Sequence, residues 1–217
     1  MEMKSKFRYI VTAIVVVMAL TVGGTKTFAQ SMEYGFYPQQ DAPKVRMEWG
    51  VGAGASYTGM AKLSPGDVQL KPRFGIGGHI DMAVCIGRNF AIETEINYEG
   101  GSIDAATPKD SHKVKTRTID IPLLFSLRMA YNHIRISAGP LFTVMSHAEY
   151  TDNGETMFFG PVSPTWNVAA GIGVGIGRHF IIEARYVHPL KSSVNQFEGV
   201  EFTTRSYRVT AGVTVLF

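Results

Sequence analysis

Tyr207-Arg-Val-Thr-Ala-Gly-Val-Thr-Val-Leu-Phe217 constrains the fold more than any other stretch of this chain. In an extended strand, Tyr207, Val209, Ala211, Val213, Val215 and Phe217 share one face. Ser206, Arg208, Thr210, Gly212, Thr214 and Leu216 share the other. At the edge of a soluble sheet, so long an apolar strand would invite pairing with other chains. A strand that closes a membrane barrel has no free edge. The segment therefore reads as a closing strand. Tyr207, Val209, Val213, Val215 and Phe217 are the expected C-terminal signal for the barrel-assembly machinery.

The opposite end carries an export pattern. Lys4, Lys6 and Arg8 precede an apolar run from Tyr9 to Val22, and Thr27-Phe28-Ala29 offers small residues to a signal peptidase. The run is shorter than the roughly 20 apolar residues of a spanning helix. Residues 1–29 are expected to be a cleaved secretory signal peptide, and no cysteine follows to take a lipid anchor. Residues 30–45 are polar, contain Pro38 and Pro43, and read as a flexible periplasmic lead-in. Tyr34, Phe36 and Tyr37 are the lead-in's candidates for a partner contact. The barrel is expected over residues 46–217.

The full chain has 21 Lys+Arg and 18 Asp+Glu; removing Lys4, Lys6, Arg8, Lys26 and Glu2 with the leader leaves 17 of each. This balance gives no sign of a nucleic-acid partner, which would need a concentrated basic face, and none is expected. Cys85 is the only cysteine, so no intramolecular disulfide can form, and a buried, inert thiol is expected.

Eight segments alternate with period two: about 47–57, 73–86, 90–99, 117–129, 133–147, 165–176, 180–188 and the terminal strand. Each is close to the roughly 9–11 residues that a tilted strand needs to cross a bilayer. The connections alternate too. Gly87-Arg-Asn89, Tyr131-Asn132 and Gly177-Arg-His179 are tight turns, whereas 58–72, 100–116, 148–164 and 189–200 read as long polar loops. Short periplasmic turns and long external loops are the outer-membrane pattern. The expected fold is an all-β, eight-stranded, antiparallel, up-and-down transmembrane β-barrel. Ile86-Gly-Arg-Asn-Phe-Ala-Ile-Glu93 echoes Ile176-Gly-Arg-His-Phe-Ile-Ile-Glu183. In each copy a glycine suits a positive-φ turn position, and Phe90 or Phe180 would join a periplasmic aromatic girdle.

With the apolar faces toward lipid, the lumen would enclose Glu48, Asp81, Glu93, Glu95, Glu99, Asp120 and Glu183 together with Arg128, Arg135, Arg185 and Arg208. Glycines on the first and sixth segments would make room for the arginines. Eight strands leave an interior that side chains just fill. Unpaired buried charge is very costly, so mixed signs point to a structural ion-pair network. Acid–base work by Glu93, Glu95 and Asp81, or a metal on His79 and Asp81, is the competing reading. The GxGxG runs at 50–54 and 171–175 open no helix, so they are not nucleotide loops. The loop acids Asp67, Asp104, Asp110, Glu149, Asp152, Glu155, Glu198 and Glu201 lack calcium-loop spacing. No cofactor or metal is expected.

Thr118-Ile-Asp-Ile-Pro-Leu-Leu124, Ile136-Ser-Ala-Gly-Pro140 and Ile92-Glu-Thr-Glu-Ile-Asn-Tyr98, with the terminal strand, resemble the PorT-like family of small outer-membrane β-barrel proteins. The resemblance spans about 47–217. It implies an outer-membrane barrel in a group mostly without assigned activity, one branch of which serves protein secretion. Pro122 and Pro140 each remove a ladder donor, so a bulge or irregularity is expected on the fourth and fifth segments. Three functions remain open. The first is a non-enzymatic barrel acting through its loops or through envelope or secretion partners. The others are a narrow ion or small-solute channel and a membrane-embedded enzyme using lumenal or rim carboxylates.

Overall fold

The computed structural model describes residues 45–217, apart from 64–67, 109, 131 and 178. The expected signal peptide and the lead-in up to residue 44 lie outside the described residues. Eleven strands follow in chain order: β1 (Val45–Lys62), β2 (Gln69–Pro72), β3 (Phe74–Ile86), β4 (Phe90–Ala106), β5 (Ser111–Met129), β6 (Ile134–Asp152), β7 (Glu155–Phe158), β8 (Trp166–Ile176), β9 (Phe180–Pro189), β10 (Ser193–Phe197) and β11 (Val200–Leu216).

Eight of them form an antiparallel wall in the order β1-β3-β4-β5-β6-β8-β9-β11, and β1 pairs with β11 to close it. The expected terminal strand is thus the closing one, with Tyr57 opposite Val209 and Gly50 opposite Leu216. The short strands β2, β7 and β10 pair with β4, β6 and β11 beyond the wall, away from the tight turns.

Side chains alternate across the wall. Phe74 and Ile76 are each 77% exposed, and Ile80, Phe125, Ile172 and Val213 also face outward. Glu48, Glu95, Asp120, Arg128, Arg135, Arg185 and Arg208 are all buried inside. A water-soluble barrel would have the opposite polarity. Phe90 and Phe180 stand exposed at the short-turn end, each just after a turn whose glycine takes positive φ (Gly87, 65°; Gly177, 63°). Near the other rim, Phe142 meets Trp166 edge-on with ring centroids 4.5 Å apart, and Tyr57 meets Phe74 at 5.6 Å.

The irregularity expected at the prolines is present. Between β4 and β5 the ladder passes from Thr94↔Leu123 to Asn97↔Asp120, leaving Ile121 and Pro122 without bridge partners on β4. Thr94 Oγ1 donates to the Pro122 carbonyl at 3.0 Å. Between β5 and β6 it lapses from Pro122↔Leu141 to Phe125↔Ala138, the stretch that contains Pro140. The register shift itself lies elsewhere: Ile119 pairs with Met145 and Asp120 with Thr143, so Val144 on β6 is the extra residue.

The connections opposite the tight turns are mostly the longer ones, but the strands extend well into the stretches that composition assigned to loop. β1 begins at Val45 and runs to Lys62, β4 runs on to Ala106, β5 starts at Ser111, β6 continues to Asp152 and β11 starts at Val200. His133 belongs to a turn that also contains Ala130 and Asn132, both at positive φ, and Thr165 precedes β8. The extensions stay strand because their alternation reverses phase. In the membrane span of β4, inward positions are Glu93, Glu95, Asn97 and Glu99; beyond Gly101 they are Ile103 and Ala105. On β5 the outward face changes from Leu127, Phe125 and Leu123 to Arg117, Lys115 and Lys113, while Val114 turns inward. Ile103, Ala105, Val114, Ala148, Tyr150, Phe197 and Phe202 then pack with Val68, Phe159 and Val162 in an apolar core inside the end opposite the tight turns. Above the bilayer the strands obey the soluble rule, apolar in and polar out.

Candidate functional site in the barrel lumen

Every acid and arginine expected in the lumen faces it, and the ion pairs fall into three tiers. Nearest the short turns, Arg128 is 1% exposed and donates from Nη1 to Glu48 Oε2 at 2.6 Å and from Nη2 to Glu93 Oε1 at 3.0 Å. Arg135 Nη2 reaches the same Glu48 oxygen at 3.3 Å, and Arg46 Nε reaches Oε1 at 3.2 Å. Glu48 thus holds three arginines from β1, β5 and β6. In the middle tier, Arg185 grips Glu95 with two parallel bonds of 2.6 and 2.5 Å, the strongest carboxylate geometry available to a guanidinium. Arg185 also lies 3.6 Å from Glu183. Nearest the apolar core, Arg208 pairs with Asp120 and with Glu99 (Nε–Oε2, 3.3 Å), and donates to Thr118 Oγ1 at 3.2 Å. Ser56 and Thr143 hydroxyls donate to Glu99 (2.5 Å) and Asp120 (2.6 Å).

Asp81 is the exception. Its cross-strand neighbour is Glu95, no basic group lies within ion-pair distance among the described residues, and its Oδ1 is buried without a hydrogen-bond partner. The His79–Asp81 pairing of the competing reading is not formed: His79 Nε2 sits 2.8 Å from Thr214 Oγ1 and 3.8 Å from Glu183 Oε1. Among the described residues, no group of three or more His, Cys, Asp or Glu is arranged to hold a metal ion. Asp81→Asn removes a charge that faces other carboxylates and has no counter-ion. The variant is expected to stabilise the barrel by about 1 kcal/mol, the scale of one buried polar mismatch, read as a higher urea midpoint at unchanged slope.

The glycines divide by partner. On β8, a Cβ added at Gly171 would come 3.0 Å from the Ala184 carbonyl and 3.5 Å from Arg185 Cβ, and one at Gly173 would come 3.2 Å from Ile181 Cγ2 and 3.6 Å from Arg135 Cβ, so these glycines leave room beside the arginines but lie closer to other neighbours. On β1, a side chain at Gly50 or Gly52 would instead collide with Asp81 or His79. At Gly54 it would collide with the Ala211 carbonyl on the closing strand.

Arg46 was absent from the expected set, although its place two residues before Glu48 puts it on the same strand face. The hydroxyl partners Ser56, Thr118 and Thr143 gave no signal beyond lying on inward positions. Cys85 is buried, as expected, beside Ala83 and Ala91.

Two small cavities lie among the described residues. A cavity of about 60 Å³ lies beside Ser56, Asn97, Glu99, Glu183 and Arg208, and one of about 20 Å³ lies above it beside Asn167 and Ser206. These volumes hold a few waters, far below the 300 Å³ or more of a small-molecule site. Over them, residues 159–165 tuck into the barrel mouth. Phe159 N donates to Ala148 O (2.9 Å), Gln196 N to Phe159 O (2.7 Å) and Ser206 Oγ to Val162 O (2.5 Å).

An apolar belt outside, a charged and filled interior, short turns at one end and extended strands at the other define an integral outer-membrane β-barrel. The chain belongs to the family of the outer membrane protein beta-barrel domain, whose model matches residues 28–195. Among solved structures it is similar to Neisserial surface protein A (17% identity, 77% of this chain and 96% of that one, TM-score 0.51). Also similar are OprG from Pseudomonas aeruginosa (8%, 78% and 95%, 0.49) and Ail from Yersinia pestis in complex with the heparin analogue sucrose octasulfate (8%, 79% and 99%, 0.48). No curated protein matches the chain. At these identities the first likeness speaks for the fold. The family and the belt place the protein in the outer membrane, short turns toward the periplasm.

Proposed function

We propose that the protein is a non-enzymatic, non-conducting barrel that anchors its extended outer strands in the membrane and acts through partner proteins in envelope structure or secretion. One observation carries this reading: the three ion-pair tiers and the apolar core above them fill the lumen along its length. The resemblance to PorT-like proteins favours a secretion or envelope partner, which the outer strands or residues 30–45 would meet. The barrel-assembly machinery would take the chain up through its terminal strand.

A channel would need a continuous path, which the ion-pair tiers and the apolar core above them obstruct. An enzyme would need a carboxylate aimed at an open site, whereas Glu93 and Glu95 are held by Arg128 and Arg185. Purified protein in planar bilayers is expected to give no steady conductance. Reproducible ion-selective steps would replace the anchor reading with the channel. Loss of a hydrolytic activity in Glu93→Gln or Glu95→Gln barrels that still assemble would replace it with the enzyme.

A further inference from the structure

The outward face of β5 changes chemistry abruptly. Leu127, Phe125, Leu123, Ile121 and Ile119 lie toward lipid, and the next outward residues are Arg117, Lys115 and Lys113. Successive outward side chains are about 7 Å apart along a strand, so the three cations continue the lipid-facing row without a gap. Flanking strands add Lys71 on β2, opposite Asp104 of β4, and Arg73 just after β2. Among the described residues, two carboxylates share the outward face of these strands, Asp104 opposite Lys113 and Glu149 opposite Lys115. Asp104 is taken by Arg73 at 2.8 Å, and Glu149 by Arg117 at 3.8 Å and His147 at 3.2 Å. Among the described residues, no carboxylate lies within ion-pair distance of Lys71, Lys113 or Lys115, all of them exposed. The opposite wall differs: the exposed positions of β10 and β11 at that height include Val194, Gln196, Glu201 and Arg205.

We propose that the outward face of β2, β4 and β5, immediately above the apolar belt, is a binding site for the phosphate groups of outer-leaflet lipid. Position decides between a lipid and a soluble anion. A molecule whose acyl chains lie against Leu123, Ile121 and Ile119 carries its headgroup up the same strand face to Arg117 and Lys115. Ammonium and guanidinium groups there meet phosphate as charge-assisted hydrogen-bond donors. The one-sided surplus orients such a lipid on one flank of the barrel.

The test uses the full mature chain in phosphatidylcholine nanodiscs, with bisphosphorylated lipid A as the probe and its dephosphorylated form as the control. Wild type is expected to prefer the phosphorylated form, with affinity falling as salt rises. The triple variant Lys71→Gln/Lys113→Gln/Lys115→Gln should lose about 100-fold, at roughly 1 kcal/mol per basic group. Lys191→Gln/Arg205→Gln on the other flank should change little. Heat-modifiable mobility on gels reports whether each barrel is folded. Should the triple variant misfold, Lys115→Gln alone carries the test with a loss of about fivefold. Equal binding of the dephosphorylated lipid, or unchanged affinity in a folded variant, overturns the proposal. A soluble sulfated oligosaccharide that binds wild type as tightly, and is lost in the same variant, also overturns it by assigning the face to a soluble polyanion.

Discussion

Arg128→Met should lower the unfolding free energy of the barrel by about 3–5 kcal/mol, the cost of stripping one partner from a buried ion pair. The side chain is wholly buried and donates to two carboxylates, Glu48 at 2.6 Å and Glu93 at 3.0 Å. The two acids are not equivalent. Glu48 keeps Arg46 and Arg135, whereas Glu93 has no other base within ion-pair distance among the described residues. Adding Glu93→Gln to the methionine variant should therefore restore more stability than adding Glu48→Gln. Urea titrations followed by fluorescence of Trp49 and Trp166 measure these four proteins and the single Glu93→Gln and Glu48→Gln variants, which closes a double-mutant cycle for each pair. Equal rescue by both glutamines would mean that the tier acts as diffuse charge and not as discrete pairs.

Ile172→Arg is expected to cost about 2–4 kcal/mol, the penalty for an arginine facing lipid near mid-bilayer. Ile172 is 61% exposed and sits near the centre of the outward row that runs from Trp166 to Ile176 on β8. Gln196→Arg, equally outward but on β10 above the belt, should cost close to nothing. The pair distinguishes depth from orientation, since both side chains point away from the lumen. If both variants unfolded at the wild-type urea midpoint, the outer face of β8 would not lie in lipid.

Seven of the eight wall strands and the two faces of each could be read from period-two alternation alone, because in the membrane one phase holds for ten residues or more. The eighth, β6, kept its phase only as far as Val144, where the extra residue resets it. Alternation failed as a guide above the belt for a related reason. Ser102, Asp104, Lys113 and Lys115 face outward there and Ile103, Ala105 and Val114 inward, so a reader holding the membrane phase sees polar loop where strand continues. The lumenal residues were legible as a set, since a face is a local property. Their pairings were not. Arg185 and Glu95 are 90 residues apart in sequence, and Arg208 and Asp120 are 88 apart. Which acid meets which base depends on the stagger of strands across the whole barrel, and Asp81 shows that not every acid is matched.

Glu48 lies on β1, and two of the arginines it binds come from β5 and β6, across the barrel. While the sheet is still open, those strands cannot reach one another: Glu48 keeps only Arg46 of its own strand, Arg128 only Glu93 of β4, and Arg135 loses its carboxylate. A half-built intermediate in lipid would hold the bare guanidinium of Arg135 beside incompletely matched pairs, which the bilayer penalises heavily. Pairing of β11 with β1 brings the two halves together and neutralises them in one event. Insertion of this chain should accordingly be all-or-none, with the last strand acting as the latch and no stable partial arc along the way.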